Sequence, residues 1–333
     1  MKKIIQLEKN DREVLFSRTS EKKGLNLSIV EKDFWVCFML DHLFHDCKYK
    51  DAFVFKGGTS LSKSYHVIER FSEDIDLIFD WRKITIDTDP WEERLKTKQD
   101  KYNKMINEYA AEFYKNSLVP ALNEELSIKL GKGNWVEVDQ YDPMVVNFLY
   151  PRDYDTDYIV PVVRLEIGPL AEWMPSHLTE IVPFVAEEYP NVFEQSMTEV
   201  LTIDVERSFW EKLTILHKMA NFPRKKSLPR RYARHLYDVY CMGNSWVKDA
   251  AFLKKELLEK DVVFKQKFYY TQSAHYETAT LAEIQLIPAD YIIEALRDDY
   301  KAMQDMIYGE YPVFEDVIKY LEKLQIEIHS LEN

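Results

Sequence analysis

FKGGTSLSKSYHVIERFSEDIDLIF, Phe55 to Phe79, sets two glycines, a run of hydroxyls and two spaced aspartates in one short segment. Phe53–Phe55 reads as a short apolar strand that ends at Gly57-Gly58. Ser60–Arg70 reads as a short helix with Leu61, Tyr65 and Ile68 on one stripe, and Ser72–Phe79 as a second strand. Side chains alternate along a strand, so Glu73, Ile75, Leu77 and Phe79 share one face and Ser72, Asp74 and Asp76 the other. At ~3.3 Å per residue the two aspartates lie about 7 Å apart. Hard oxygen donors at that separation suit one or two Mg2+ (or Mn2+) ions, which combine carboxylates with phosphate oxygens. Gly57 and Gly58 put no side chain in the way of a phosphate. Thr59 and Ser60 offer hydroxyls at a helix N-terminus, where free N–H groups favour anions. Lys63 and Ser72 complete the candidate nucleotide-binding set. Taken singly, Gly-Gly is an ordinary tight turn and Asp-x-Asp an ordinary solvated face. Together they match the geometry of metal-assisted phosphoryl or nucleotidyl transfer.

Outward from this segment, residues 28–45 read as an amphipathic helix capped by Ser28, with Glu31 in the capping-box position. Residues 91–131 are mostly helical, with a break at Pro120. Four strand-like segments follow, at Trp135–Asp139, Met144–Tyr150, Ile159–Ile167 and Thr179–Ala186, and their β-branched content points to a mixed sheet. From Glu206 the pattern turns helical almost to the end. The shift near residue 200 divides the chain into 1–200 and 201–333, with no internal repeat and no low-complexity linker.

A chain of 333 residues that is 46% hydrophobic, with 18 Phe and 21 Tyr, is globular rather than disordered. Its formal charge of −13 repels nucleic acid overall, so any such contact is local. Cys37, Cys47 and Cys241 are too few and too scattered for a disulfide framework or a structural zinc site, which suits a reducing compartment. Charges follow the first residues at once, leaving no signal-peptide core, and no apolar run approaches the ~20 residues that span a bilayer. A soluble, cytoplasmic protein is expected.

KGGTSLSK followed by RFSEDIDL resembles the first motif of the AbiEii/AbiGii-type nucleotidyltransferase toxins of the DNA polymerase β-like superfamily. The resemblance continues in VEKDFWV (Val30–Val36), ERSFWEKLTILH (Glu206–His217), RYARHLYDVY (Arg231–Tyr240) and DDYKAMQDMIYGEYPVFEDVI (Asp298–Ile318), and so covers nearly the whole chain. It implies an α/β (α+β) fold, with a polymerase β-like nucleotidyltransferase core on a mixed sheet. A helical C-terminal region would complete the active site. It also implies a type IV toxin–antitoxin system or abortive infection against phage. In such systems the toxin adds nucleotides from an NTP to an acceptor, in some members the 3′ end of tRNA. A cognate antitoxin, often a transcriptional repressor, counteracts it.

Three further positions are candidates for the chemistry. By helical count Lys212 lies beside the Phe209, Leu213, Leu216 and Ala220 stripe, either snorkelling over the core edge or pointing into a partly buried cavity. The resemblance implies contact with the nucleotide phosphates. Asp238 reads as a surface residue within reach of Arg234, one turn earlier. The resemblance implies that it is required for activity. Glu166 shares a strand face with Arg164. It is either half of an i,i+2 ion pair or the third carboxylate of a polymerase-like site. His217 and His235 are read as structural.

The stretch 217–235 holds Arg224, Lys225, Lys226, Arg230 and Arg231 with almost no acid. Such a run is a solvated loop or, in this context, an RNA-binding edge that contacts phosphates without reading sequence. Its composition points to mobility until a substrate binds. A nucleotidyltransferase acting on protein or a small molecule, and a non-catalytic NTP- or partner-binding protein, are the competing readings.

Overall fold

The computed structural model describes residues 1–85, 89–152, 162–170 and 174–332. The chain forms two compact units, Met1–Ser64 with Phe71–Thr202, and Tyr65–Arg70 with Ile203–Asn333.

The first unit is built on a seven-stranded sheet. Its strands are β1 (Phe53–Lys56), β2 (Asp74–Phe79), β3 (Val136–Val138), β4 (Val145–Phe148), β5 (Val163–Gly168), β6 (Ser176–Ile181) and β7 (Thr198–Ile203), in the order β3-β4-β5-β2-β1-β7-β6. β1 runs antiparallel to β2, whereas β2–β5 and β1–β7 are parallel, so the sheet is mixed. The Leu27–Asp41 helix, whose Phe34, Trp35 and Phe38 are buried, packs its aromatics against Phe148 and Tyr150. Phe53 and Phe79 meet edge to face across β1 and β2.

Several boundaries differ from the sequence reading, each for a local reason. The 28–45 helix begins at Leu27 because Asn26, not Ser28, is the cap, its side chain accepting from the Ser28 N–H at 3.0 Å. Pro120 does not break its helix. A π-helical turn at Tyr114–Leu118 precedes it, and the proline falls in the first turn of Val119–Leu130, where a missing N–H costs nothing. The strand expected at 179–186 ends at Ile181, and Phe184–Glu188 is a short helix. β7 went unread, although TEVLTI alternates well. Residues 159–161 of the expected β5 lie outside the described residues.

The second unit is helical, as read. The Val205–Ala220 helix lies at its centre, buried on most sides, with Trp210 stacked on Phe252 and donating to the Ala251 carbonyl at 3.1 Å. The Arg234–Gly243, Trp246–Leu253 and Glu256–Phe268 helices pack around it. No helix among the described residues is long and apolar enough to cross a membrane.

Candidate active site

The alternation read from the sequence holds at the start of β2. Ser72, Asp74 and Asp76 are half-buried, while Glu73, Ile75 and Leu77 are buried. Parallel pairing with β5 sets Asp74 beside Arg164 and Asp76 beside Glu166, so all four share one face. Arg164 sits loosely among three carboxylates, 3.8 Å from Asp74, 3.4 Å from Asp139 and 3.9 Å from Glu166. Glu166, at 45% side-chain exposure, is the most open of the three acids around Arg164. Burial, followed by the charges of Glu73 and Asp76, pushes the Asp74 carboxyl above its ordinary value, and Lys32 and Arg164 only partly offset this.

The segment between the strands is shorter than read and anchored differently. The helix spans Gly57–Lys63, not Ser60–Arg70, and so contains Thr59 and Ser60 rather than starting at them. Both hydroxyls serve the backbone. Thr59 Oγ1 donates to the carbonyls of Asp74 and Ser72, and Ser60 Oγ to the Gly57 carbonyl at 2.8 Å. Thr59 thus pins the helix to the strand that carries the aspartates. Lys63 is buried too, its ammonium 2.8 Å from Asp33 and over the Phe184 ring.

This explains the charges in VEKDFWV, which propensity alone would not place in a core. Asp33 holds Lys63 and accepts from the Phe184 N–H at 2.6 Å, while the adjacent Lys32 holds Glu73 at 2.8 Å. One helix therefore clamps the Gly57–Lys63 helix at its end and β2 at its start. Of the expected phosphate-binding positions, Gly57 and Ser72 remain half-exposed, and Gly58 is buried.

In the second unit Asp238 is fully buried and not a surface partner of Arg234. Its carboxylate takes the fork of Arg70, Nε at 2.7 Å and Nη2 at 2.9 Å, and the Lys212 ammonium at 2.7 Å. Burial opposes its charge, but Arg70 and Lys212 together outweigh burial and hold Asp238 far below the usual carboxylate range. Lys212 is buried as well, and burial pushes its ammonium below the ordinary lysine value despite Asp238. Burial and the charge of Lys212 keep His235 neutral, and its Nδ1 accepts from Lys212 at 3.3 Å. Arg70 is the residue that sequence reading missed. It ends a stretch read as a helix, and no spacing rule links it to a position 168 residues later.

These buried groups give stability a pH dependence. Burial pushes His42 down to about 4 and lowers His217 and His235, so all three are neutral in the fold at neutral pH. Their contribution is present above the unfolded imidazole value of ~6.5 and is lost as pH falls through the folded values, because the unfolded chain takes up protons first. Asp238 adds to this loss below the unfolded carboxyl value of ~4. The urea midpoint is expected to fall steadily between pH 7 and pH 4; a flat profile would contradict these assignments.

A family model described as "Nucleotidyl transferase AbiEii toxin, Type IV TA system" matches residues 39–320. The chain belongs to this family. It is a nucleotidyltransferase toxin of a type IV toxin–antitoxin system, which implies an antitoxin partner. Among solved structures it is similar to MenT4, the nucleotidyltransferase toxin Rv2826c from Mycobacterium tuberculosis H37Rv. The identity is 15% and the TM-score 0.43, with 95% of this chain and 98% of that one covered. A comparison with curated proteins returned no match.

Asp74 and Asp76 are the residues that could hold a divalent cation together with substrate oxygens. Among the described residues no three His, Cys, Asp or Glu side chains converge as a metal site. Asp74 and Asp76 form a carboxylate pair on one strand face, and Mg2+ characteristically combines one or two carboxylates with phosphate oxygens and waters. Gly57 is part of the same construction. Its φ is +81°, and a Cβ built on it would overlap the Asp76 carboxylate. Gly57→Ala is expected to cost about 1–3 kcal/mol in strain and to lower kcat about 10- to 100-fold by displacing Asp76. A variant with wild-type kcat would show that Asp76 needs no such room.

The ends of the basic stretch are hydrogen-bonded to the helix that carries Tyr291 and Asp299. Arg224, Lys225, Lys226, Arg230 and Arg231 are exposed, but Asp299 accepts from the backbone N–H groups of Arg231 at 2.6 Å and Ala233 at 2.8 Å. Tyr291 donates to the Phe222 carbonyl and lies under the Arg224 guanidinium. Arg231 sits at φ +59°, a conformation fixed by the Asp299 bond. The backbone at both ends is tied down while the cations face solvent.

Proposed function

We propose that the toxin transfers a nucleoside monophosphate from an NTP to the 3′ end of an RNA acceptor, with tRNA as the substrate, and that it arrests growth from the cytoplasm. The observation that carries this reading is the Asp74–Asp76 pair on the half-open face of β2, with Glu166 beside Asp76 on β5. A divalent cation held there would supply charge against the triphosphate oxygens. Asp74 and Asp76 orient that charge, and Gly57 leaves the approach clear. Gly58, Thr59 and Ser60 shape the turn beneath the phosphates through their backbone, and Ser72 lies on the same edge.

The acceptor 3′-hydroxyl attacks the α-phosphorus, and the bond to the β-phosphate breaks as pyrophosphate leaves. Glu166, the most open carboxylate beside Asp76, takes the hydroxyl proton. The family resemblance implies that Lys212, steadied by Asp238, serves the nucleotide phosphates as a compact cation. Little covalent chemistry falls to the protein, so positioning and electrostatics supply most of the rate. Arg224, Lys225, Lys226, Arg230 and Arg231 give the RNA backbone a local attraction that the net charge of −13 denies it elsewhere. Lys63, committed to Asp33, has no part in this scheme.

The test is incubation of purified protein with each of the four labelled NTPs, total RNA and total protein. Label entering the tRNA band supports the reading. Label in protein or a small molecule would replace the acceptor, and no label with any NTP would refute it.

A further inference from the structure

Arg70 belongs to a segment fixed from two sides. Its backbone pairs with Ile307 as an antiparallel bridge, and the preceding Glu69 carbonyl accepts from the N–H groups of Tyr308 at 2.9 Å and Gly309 at 3.3 Å. Its side chain is buried and reaches both Asp238 oxygens. Lys212 shares only Oδ2 with it, and its second contact is His235 Nδ1. The third Lys212 N–H has no protein acceptor among the described residues. Without the Arg70 fork the Asp238 carboxylate would be free to turn and chelate Lys212 with both oxygens, drawing the ammonium inward. A planar bidentate donor prevents that rotation, which a lysine at position 70 could not do.

We propose that Arg70 is a positioning residue for nucleotidyl transfer, holding Asp238 so that Lys212 keeps one donor aimed at the substrate. The inference rests on Lys212 serving the reaction. The charged and titratable groups that face Lys212 are Asp238, His235 and Arg234 from the Arg234–Gly243 helix and Arg70 itself. The other helices packed on Val205–Ala220 present theirs elsewhere, Asp261 and Lys265 to Thr214, and Lys254 to Asp204 and Glu206.

Arg70→Lys and Arg70→Gln separate charge from geometry, read as kcat, KM for the NTP, the pH–rate profile and the unfolding midpoint. Both variants are expected to lose kcat about 10²-fold, the scale of a misplacement near 1 Å, with KM changed far less. Arg70→Gln alone removes a cation from beside Lys212, so the alkaline limb of its profile moves to higher pH; Arg70→Lys leaves the limb in place. Wild-type kcat in either folded variant, or an unmoved limb in Arg70→Gln, overturns the proposal. If Arg70→Gln does not fold, Arg70→Lys decides. Lost kcat at an unchanged unfolding midpoint supports the proposal, and wild-type kcat overturns it. Lys212→Ala, assayed alongside, keeps the two readings apart. Its full activity would remove Lys212 from the reaction, whereas an inactive Lys212→Ala beside normal Arg70 variants would sink this inference alone.

Discussion

Asp76→Asn and Asp74→Asn each leave the protein folded and reduce nucleotidyl transfer on the order of 10³-fold or more, the scale set by removing a preorganised charge from a reacting phosphate. The amide keeps the shape of the carboxylate, so β2 and its register with β5 are undisturbed. What changes is charge. Burial and the neighbouring acids already push the Asp74 carboxyl up, so its ionised form is a cost to the fold. Neutralising Asp74 relieves that cost, and its unfolding midpoint should hold or rise while activity disappears. That opposition separates a site residue from a structural one. Equal loss of stability and activity, or a variant with normal single-turnover transfer, would contradict it.

Asp238→Asn gives the other pattern, with both properties falling together. Asp238 is the acid that raises Lys212 against burial, and it also faces the buried Arg70. Its removal leaves two cations in a dry environment with reduced compensation. Breaking a buried ion pair from one side costs about 3–5 kcal/mol, well above the ~1 kcal/mol of a typical substitution. Urea unfolding is expected to show that loss, and transfer should fall with it because Lys212 is no longer held. A variant as stable as the wild type would mean that the triad is not the tie that its distances indicate.

The sequence disclosed the aspartate-bearing strand because period-two alternation is a local property, and Asp74, Asp76 and the buried Ile75 and Leu77 needed nothing beyond it. The mixed sheet and the helical second half were legible for the same reason. Burial of polar groups was not. Thr59, Ser60 and Lys63 have the composition of a phosphate-binding turn, yet each is consumed by a partner, respectively the Asp74 carbonyl, the Gly57 carbonyl and Asp33. Asp238 read as exposed because a four-residue step to Arg234 looks like a surface pair. Its true partners lie 26 and 168 residues away, where no periodicity reaches. Long-range charge pairing in a core is decided by tertiary structure, and local pattern cannot carry it.

On the proposed mechanism the α-phosphate, not the γ-phosphate, is transferred, and the transfer depends on the Asp74–Asp76 pair. The most direct measurement gives the wild type and Asp76→Asn the same RNA with NTP labelled at either position. Acceptor label is expected from the α-position only, with unlabelled acceptor from γ-labelled NTP, and neither label with Asp76→Asn. Acceptor label from the γ-position, or α-label transferred undiminished by a folded Asp76→Asn protein, would contradict it.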